Sequence, residues 1–250
     1  MTNTGTHPET NDLLSRRLRL IQHRDGHRAA ADDVLLAWAA WRAHPQAGRI
    51  LELGCGKGTV GLLLLSRMPY SLVLGVEAHA PHYALACRNA VLNGMELRFY
   101  PRHGDLRDGG LLAGEPPFDL ACGAPPFLPV GSGVQPKDTG RAAGRFELRG
   151  GVEDYAAAAA RHLSAEGLLV LLMDGQAESR PLQAIRTAGL FPRRILDVLP
   201  HPGKDAKYRI YEASRAAGEV RRETLALRPS RESAGWTEEY SRIRSALDLP

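Results

Sequence analysis

Short apolar runs and amphipathic stretches take turns along most of this chain. Residues 31–43 place Val34, Leu35, Trp38 and Trp41 on one helical stripe, with Asp32 or Asp33 available as a cap. Arg49–Leu53 (RILEL) is a short apolar run stopped by glycines, the pattern of a buried parallel strand. Thr59–Arg67 then reads as a helix, Leu72–Glu77 (LVLGVE) as a strand, and 81–92 as a helix with proline at its start. Strands follow over 96–100 and 118–122, an Ala-rich helix over 152–163, a strand over 167–173 (GLLVLLM), and a helix over 177–188 stopped by Gly189. The runs 195–199 and 208–213 pair as the last two strands. Alternation at this spacing predicts an α/β fold, a doubly wound, mostly parallel sheet of seven strands with a C-terminal antiparallel hairpin.

The two ends break the rhythm. Residues 1–14 are polar, with Gly, Pro, Asn and Thr, and read as a disordered leader. The main domain is expected over 15–216, opening with a helical segment at 15–47. Residues 217–250 form a charged extension with one helical stretch near 238–247. Segment 128–151 is a long loop rich in Gly, Pro and Arg, and loops of that length in compact domains tend to be functional or disordered.

Composition mainly sets limits. A chain of 250 residues, 44% hydrophobic and 24% charged, is of ordinary globular type. Its apolar runs fall far below the roughly 20 residues of a membrane span, so no membrane partner is expected. The N-terminal residues carry no secretory h-region. Cys55, Cys87 and Cys122 include no CxxC pair, so neither a disulfide framework nor a zinc site is expected. The expectations are no metal and a reducing, cytoplasmic location.

The chemistry concentrates at Leu51-Glu52-Leu53-Gly54-Cys55-Gly56-Lys57-Gly58, where a strand ends, glycines turn sharply and a helix begins. Gly56-x-Gly58-x-x-Gly61 matches the dinucleotide fingerprint, with Glu77 about 20 residues on. The competing cofactor is S-adenosylmethionine, which has no phosphate and ends in an ammonium group. Glu52, two residues before the first glycine, suits that cation and would sit poorly beside a pyrophosphate. Glu77 and Ala78 end the next strand, where a two-oxygen carboxylate accepts both ribose hydroxyls. Gly104-Asp105 follows the third strand, and Asp105 would accept from the adenine amine. The expected cofactor site is thus Glu52, Leu53, Gly54, Cys55, Gly56, Gly58, Glu77, Ala78, Gly104 and Asp105.

After the fourth strand comes Ala124-Pro125-Pro126-Phe127. With that turn the chain resembles the class I S-adenosylmethionine-dependent methyltransferases, a Rossmann-like family that orders its parts in this way. The subgroup acting on planar amine or amide nitrogens carries Asn-Pro-Pro-Tyr/Phe there. Within it the chain resembles the bacterial tRNA adenine-N6-methyltransferases that modify the base beside the anticodon of a valine tRNA. The resemblance spans about residues 18–213. It rests further on Gln22–Arg28 with Asp33-Val34-Leu35-Leu36-Ala37, on Gly144-Arg145-Phe146-Glu147, and on the stretch from His201-Pro202-Gly203-Lys204 to Glu212. It implies that the Asn side chain and a Pro carbonyl accept the N–H groups of the amine, which orients the nitrogen, while the aromatic residue stacks on a flipped-out base. Here position 124 is Ala. One positioned acceptor is worth about 1–3 kcal/mol, or tenfold to a few hundredfold in rate. Three readings stay open: a nucleophile needing one contact fewer, another acceptor such as Gln135 or Asp138, or loss of amine methylation.

A net charge of +4 mildly favours an anionic partner. Basic stretches at 16–28, at Arg141, Arg145 and Arg149, and at Lys204, Lys207 and Arg209 flank the expected mouth. Arginine's planar fork suits phosphate, so Arg28, Arg141, Arg145, Lys204 and Lys207 are the candidate RNA contacts, with tRNA as the expected substrate. The rival readings are methylation of a protein amide or small molecule, a binding module that has lost turnover through Ala124, and an NAD-dependent enzyme.

Overall fold

The structure is a computed structural model that describes residues 8–24, 26, 28–129, 131–132, 139–176 and 178–250, without the side chains of 139, 141 and 143. Strands β1 (Glu9–Leu13) and β2 (Arg19–His23) form an antiparallel hairpin, and helix α1 (Ala31–Ala43) follows. The alternating core runs β3 (Arg49–Leu53), α2 (Thr59–Arg67), β4 (Leu72–Glu77), α3 (Ala80–Leu92), β5 (Phe99–His103) and β6 (Phe118–Gly123). It continues with α4 (Thr139–Arg145), α5 (Val152–His162), β7 (Leu163–Asp174), α6 (Ser179–Thr187), β8 (Phe191–Leu199) and β9 (Tyr208–Ser214). The last elements are β10 (Arg221–Ala226) and α7 (Glu238–Ala246).

The main sheet has the order β10-β8-β9-β7-β6-β3-β4-β5. It is mixed and mostly parallel; β9 alone runs against its neighbours β7 and β8, which is the expected closing hairpin. Its two faces bury separate cores. Leu35, Leu36, Leu62 and Leu64 of α1 and α2 cover one face, with Tyr240 and Ile243 of α7. Tyr155, Ala156 and Ala159 of α5 and Ile185 of α6 cover the other. No helix among the described residues is long and apolar enough to cross a membrane.

Four expectations need correction. Residues 9–13 are a strand, not part of a disordered leader, and residues 1–7 lie outside the described residues. Polar side chains hold that strand: Arg88 donates to both Glu9 oxygens at 2.8 Å, and Gln22 Nε2 to Asp12 Oδ2 at 2.7 Å. For the same reason part of segment 15–47 is the strand β2, not helix. The sheet has eight strands, because β10 of the charged extension pairs in parallel with β8. Finally, β5 starts at Phe99, because the amides of Arg98 and Phe99 turn back onto the Met95 carbonyl.

Candidate functional site

The sheet order reverses its winding at β3, so the loops after β3 and β6 diverge and leave a crevice at the carboxyl ends of the strands. A cavity of about 430 Å³ fills it. The β3 loop contributes Glu52, Leu53, Gly54, Cys55 and Gly56, and β4 contributes Glu77 and Ala78. Gly104 follows β5, and Ala124, Pro125, Pro126 and Phe127 follow β6.

Backbone geometry explains the glycines. Gly54 and Gly56 have φ of 67° and 56°, the left-handed region that side chains disfavour. A Cβ on Gly54 would stand 2.2 Å from the Tyr155 hydroxyl, whereas one on Gly56 would meet nothing within 4 Å, so the chain there opens onto the cavity. Gly58 caps α2 with φ 87° over the Phe99 ring and does not line the cavity.

Glu52 is 3% exposed, and its Oε2 has no hydrogen-bond partner among the described residues. Burial, reinforced by Asp33 and Glu77, pushes its carboxyl well above the usual range against the pull of the Gly61 amide. A buried, unsatisfied acceptor on a residue that lines the cavity calls for a donor, and a ligand ammonium fits it. Glu77 is held differently: Oε2 accepts the Gly56 amide at 2.8 Å and Oε1 the His79 amide at 2.7 Å. Burial raises its pKa while those amides oppose the rise. Each oxygen keeps a second lone pair for a hydroxyl donor. The residues present therefore fit S-adenosylmethionine, with Glu52 suited to its ammonium and Glu77 to its ribose.

Some expected residues fall elsewhere. Asp105 does not line the cavity; Arg107 holds its carboxylate, with Nη2 to Oδ2 at 2.6 Å, and keeps it below its usual range. Arg145 lines the cavity, while Lys204 and Lys207 lie exposed between β8 and β9. Arg28 pairs with Asp12 at 2.9 Å beside a separate hollow. Gln135, Asp138, Asp25, His27 and the side chain of Arg141 lie outside the described residues. Cys55 and Cys122 are buried and their thiols pushed well up, chiefly by desolvation, as packing residues would be.

The cavity also gathers residues with no site role in the sequence reading: Asp32, Asp33, Lys57, Tyr155 and Asp174. Lys57 is 6% exposed, and burial draws its ammonium down against the upward pull of Asp33 and Asp32. Burial raises the Tyr155 hydroxyl, as do Glu77 and the other acids around it, so it stays protonated. The signal for Asp174 was present, since an acid ends the apolar run of β7 as Glu77 ends that of β4.

No protein-family model matches the chain. A solved structure of a predicted O-methyltransferase from Agrobacterium tumefaciens superposes with a TM-score of 0.63, covering 88% of this chain and 98% of that one at 21% identity. The chain has the class I methyltransferase fold. A tRNA1(Val) (adenine(37)-N6)-methyltransferase from Porphyromonas gingivalis is 29% identical over 243 residues, 93% of each chain. The enzyme of the same name from Yersinia pseudotuberculosis is 26% identical over 208 residues, 81% of this chain and 79% of that one. These relatives bear out the expected resemblance and the enzyme class, an S-adenosylmethionine-dependent methyltransferase.

Proposed function

We propose that this methyltransferase acts on the exocyclic nitrogen of an adenine in RNA, with tRNA as substrate. The observation that carries the reading is the shared cavity: the Ala124–Phe127 turn opens onto the same space as Glu52, Gly56 and Glu77. In this reading Glu52 and the glycine loop hold the methionine end of the cofactor, Glu77 the ribose and Gly104 the adenine edge. The carbonyls after β6 receive the acceptor amine, and Phe127 stacks on its ring. Arg145 at the mouth and the exposed Lys204 and Lys207 meet phosphates. The two curated relatives support the acceptor, and such a substrate would keep the enzyme in the cytoplasm.

Labelled methyl transfer from S-adenosylmethionine to bulk tRNA, ribosomal RNA and protein, run side by side, tests the reading. Label should enter tRNA as N6-methyladenine and should drop at least tenfold in Phe127→Ala. Label confined to protein would replace the RNA acceptor with a protein amide.

A further inference from the structure

Ala124 leaves the acceptor pocket one side-chain oxygen short, and the neighbouring strand carries one. Strands β6 and β7 run parallel, paired from Leu120 with Leu168 to Gly123 with Leu171. Residues two apart share a face of a sheet. Leu120 and Cys122 of β6 and Val170 and Leu172 of β7 bury in the core on the α1 side. Ala124 continues the first series and packs partly against that core. Asp174 continues the second, kept in regular strand by its pairing with Tyr208 of β9. The register sets Ala124 opposite Leu172, so Asp174 lies on the same face one step further along the neighbouring strand, about 7 Å beyond in the strand direction and about 5 Å across. Both line the cavity.

The carboxylate of Asp174 is fixed in place. Its Oδ1 accepts the Gln176 amide at 2.8 Å, and its Oδ2 takes no hydrogen bond within the described residues. The other acids of the cavity have other surroundings. Glu52 and Glu77 sit deep in the β3–β4 wall, and Asp33 accepts the Ala30 amide at 3.0 Å in the first turn of α1. Asp32 has a buried Oδ1 that takes no hydrogen bond among the described residues, but it stands on α1 and not on the strand beside Ala124.

We infer that Asp174 is the acceptor missing at position 124: its carboxylate receives an N–H of the amine that is methylated. A charged acceptor binds an N–H more strongly than an amide does and orients the nitrogen as well. This rests on the reading of the acceptor as an exocyclic amine.

The test compares wild type with Ala124→Asn, Asp174→Ala, Asp174→Asn and the double variant Ala124→Asn/Asp174→Ala. Labelled methyl transfer to bulk tRNA and calorimetric affinity for S-adenosylmethionine are measured for each. Asp174→Ala should lose about a hundredfold in rate, and Asp174→Asn, which keeps an oxygen acceptor, about tenfold or less. The double variant should regain at least tenfold over Asp174→Ala, which no merely structural role of Asp174 would give. Cofactor affinity should stay within about twofold throughout. Full rate in Asp174→Ala, or no recovery in the double variant, overturns the assignment while leaving the amine reading in place. Silence of both wild type and Ala124→Asn on tRNA overturns the amine reading, and the assignment falls with it.

Discussion

Replacing Glu52 by Gln separates two effects of one carboxyl. Burial raises its pKa in the folded protein, so the group favours folding fully only below its unfolded value of about 4.3, and that contribution is lost as pH rises through the folded value. Glu52→Gln should therefore raise the Tm of the cofactor-free protein at pH 8, with the gain vanishing near pH 4. It should also weaken S-adenosylmethionine binding at least tenfold, because the amide supplies no charge for the ammonium. Calorimetry reads both, and a lower Tm at pH 8 would mean that Glu52 is better solvated than its surroundings indicate. The cysteines give a second prediction at this scale. Cys55 and Cys122 are buried, and Cys87 is partly exposed. A thiol reagent should modify one cysteine in the native protein, and Cys87→Ser should abolish the reaction. Two rapidly reacting thiols would contradict the packing role of Cys55 and Cys122.

Between elements, Asn89 of α3 makes the decisive contact. It is 0% exposed; its Nδ2 donates to the Ile21 and Lys57 carbonyls, both at 2.9 Å, and its Oδ1 accepts the Ile21 amide at 2.7 Å. One side chain thus ties the hairpin to the cofactor loop. Asn89→Ala leaves three backbone groups to find other partners and should cost about 2–3 kcal/mol in urea unfolding, with faster amide exchange over 19–23. Unchanged exchange there would show that the hairpin is held by its other contacts, such as Glu9 with Arg88 and Asn93 with the Arg19 backbone. Which elements were legible in the sequence follows the same division. The apolar strands β3, β4 and β7 and the striped helix α1 announce themselves, because burial imposes their pattern. β1 and β10 do not, since side-chain pairs such as Glu9–Arg88 and Asp197–Arg222 hold them, and such pairing has no sequence period. The site divides likewise. Glu52, Glu77 and the Ala124–Phe127 turn follow from where strands end, whereas Tyr155 enters from a helix on the far face. Asp105 departs from the expectation for a local reason: Arg107, two residues on, takes its carboxylate, and Asp105 does not line the cavity.

The net charge of the whole molecule conceals where the charge is available. Arg42 and Arg194 share Glu212 and Glu223, Arg180 grips Glu147 and Glu153, and Arg209 and Arg222 share Asp197 and Glu178. No salt bridge among the described residues holds Arg145, Lys204 or Lys207, so under the proposed function these three are available to phosphate. Affinity for tRNA should fall at least tenfold between about 50 and 200 mM salt, and Lys204→Ala/Lys207→Ala should flatten that slope. A slope unchanged in the double variant would place the phosphate contacts elsewhere. The eighth strand has a consequence of another kind. A sheet margin offers a row of open amides and carbonyls on which a second chain can template itself. The margin that β8 would present, with Ile195, Leu196 and Val198 along it, is covered by β10, whose own sequence opens Arg-Arg-Glu. Charged side chains make a poor template, so β10 guards the sheet margin against fibril-like association, and light scattering should show that removing it makes the protein aggregate more readily as its concentration rises.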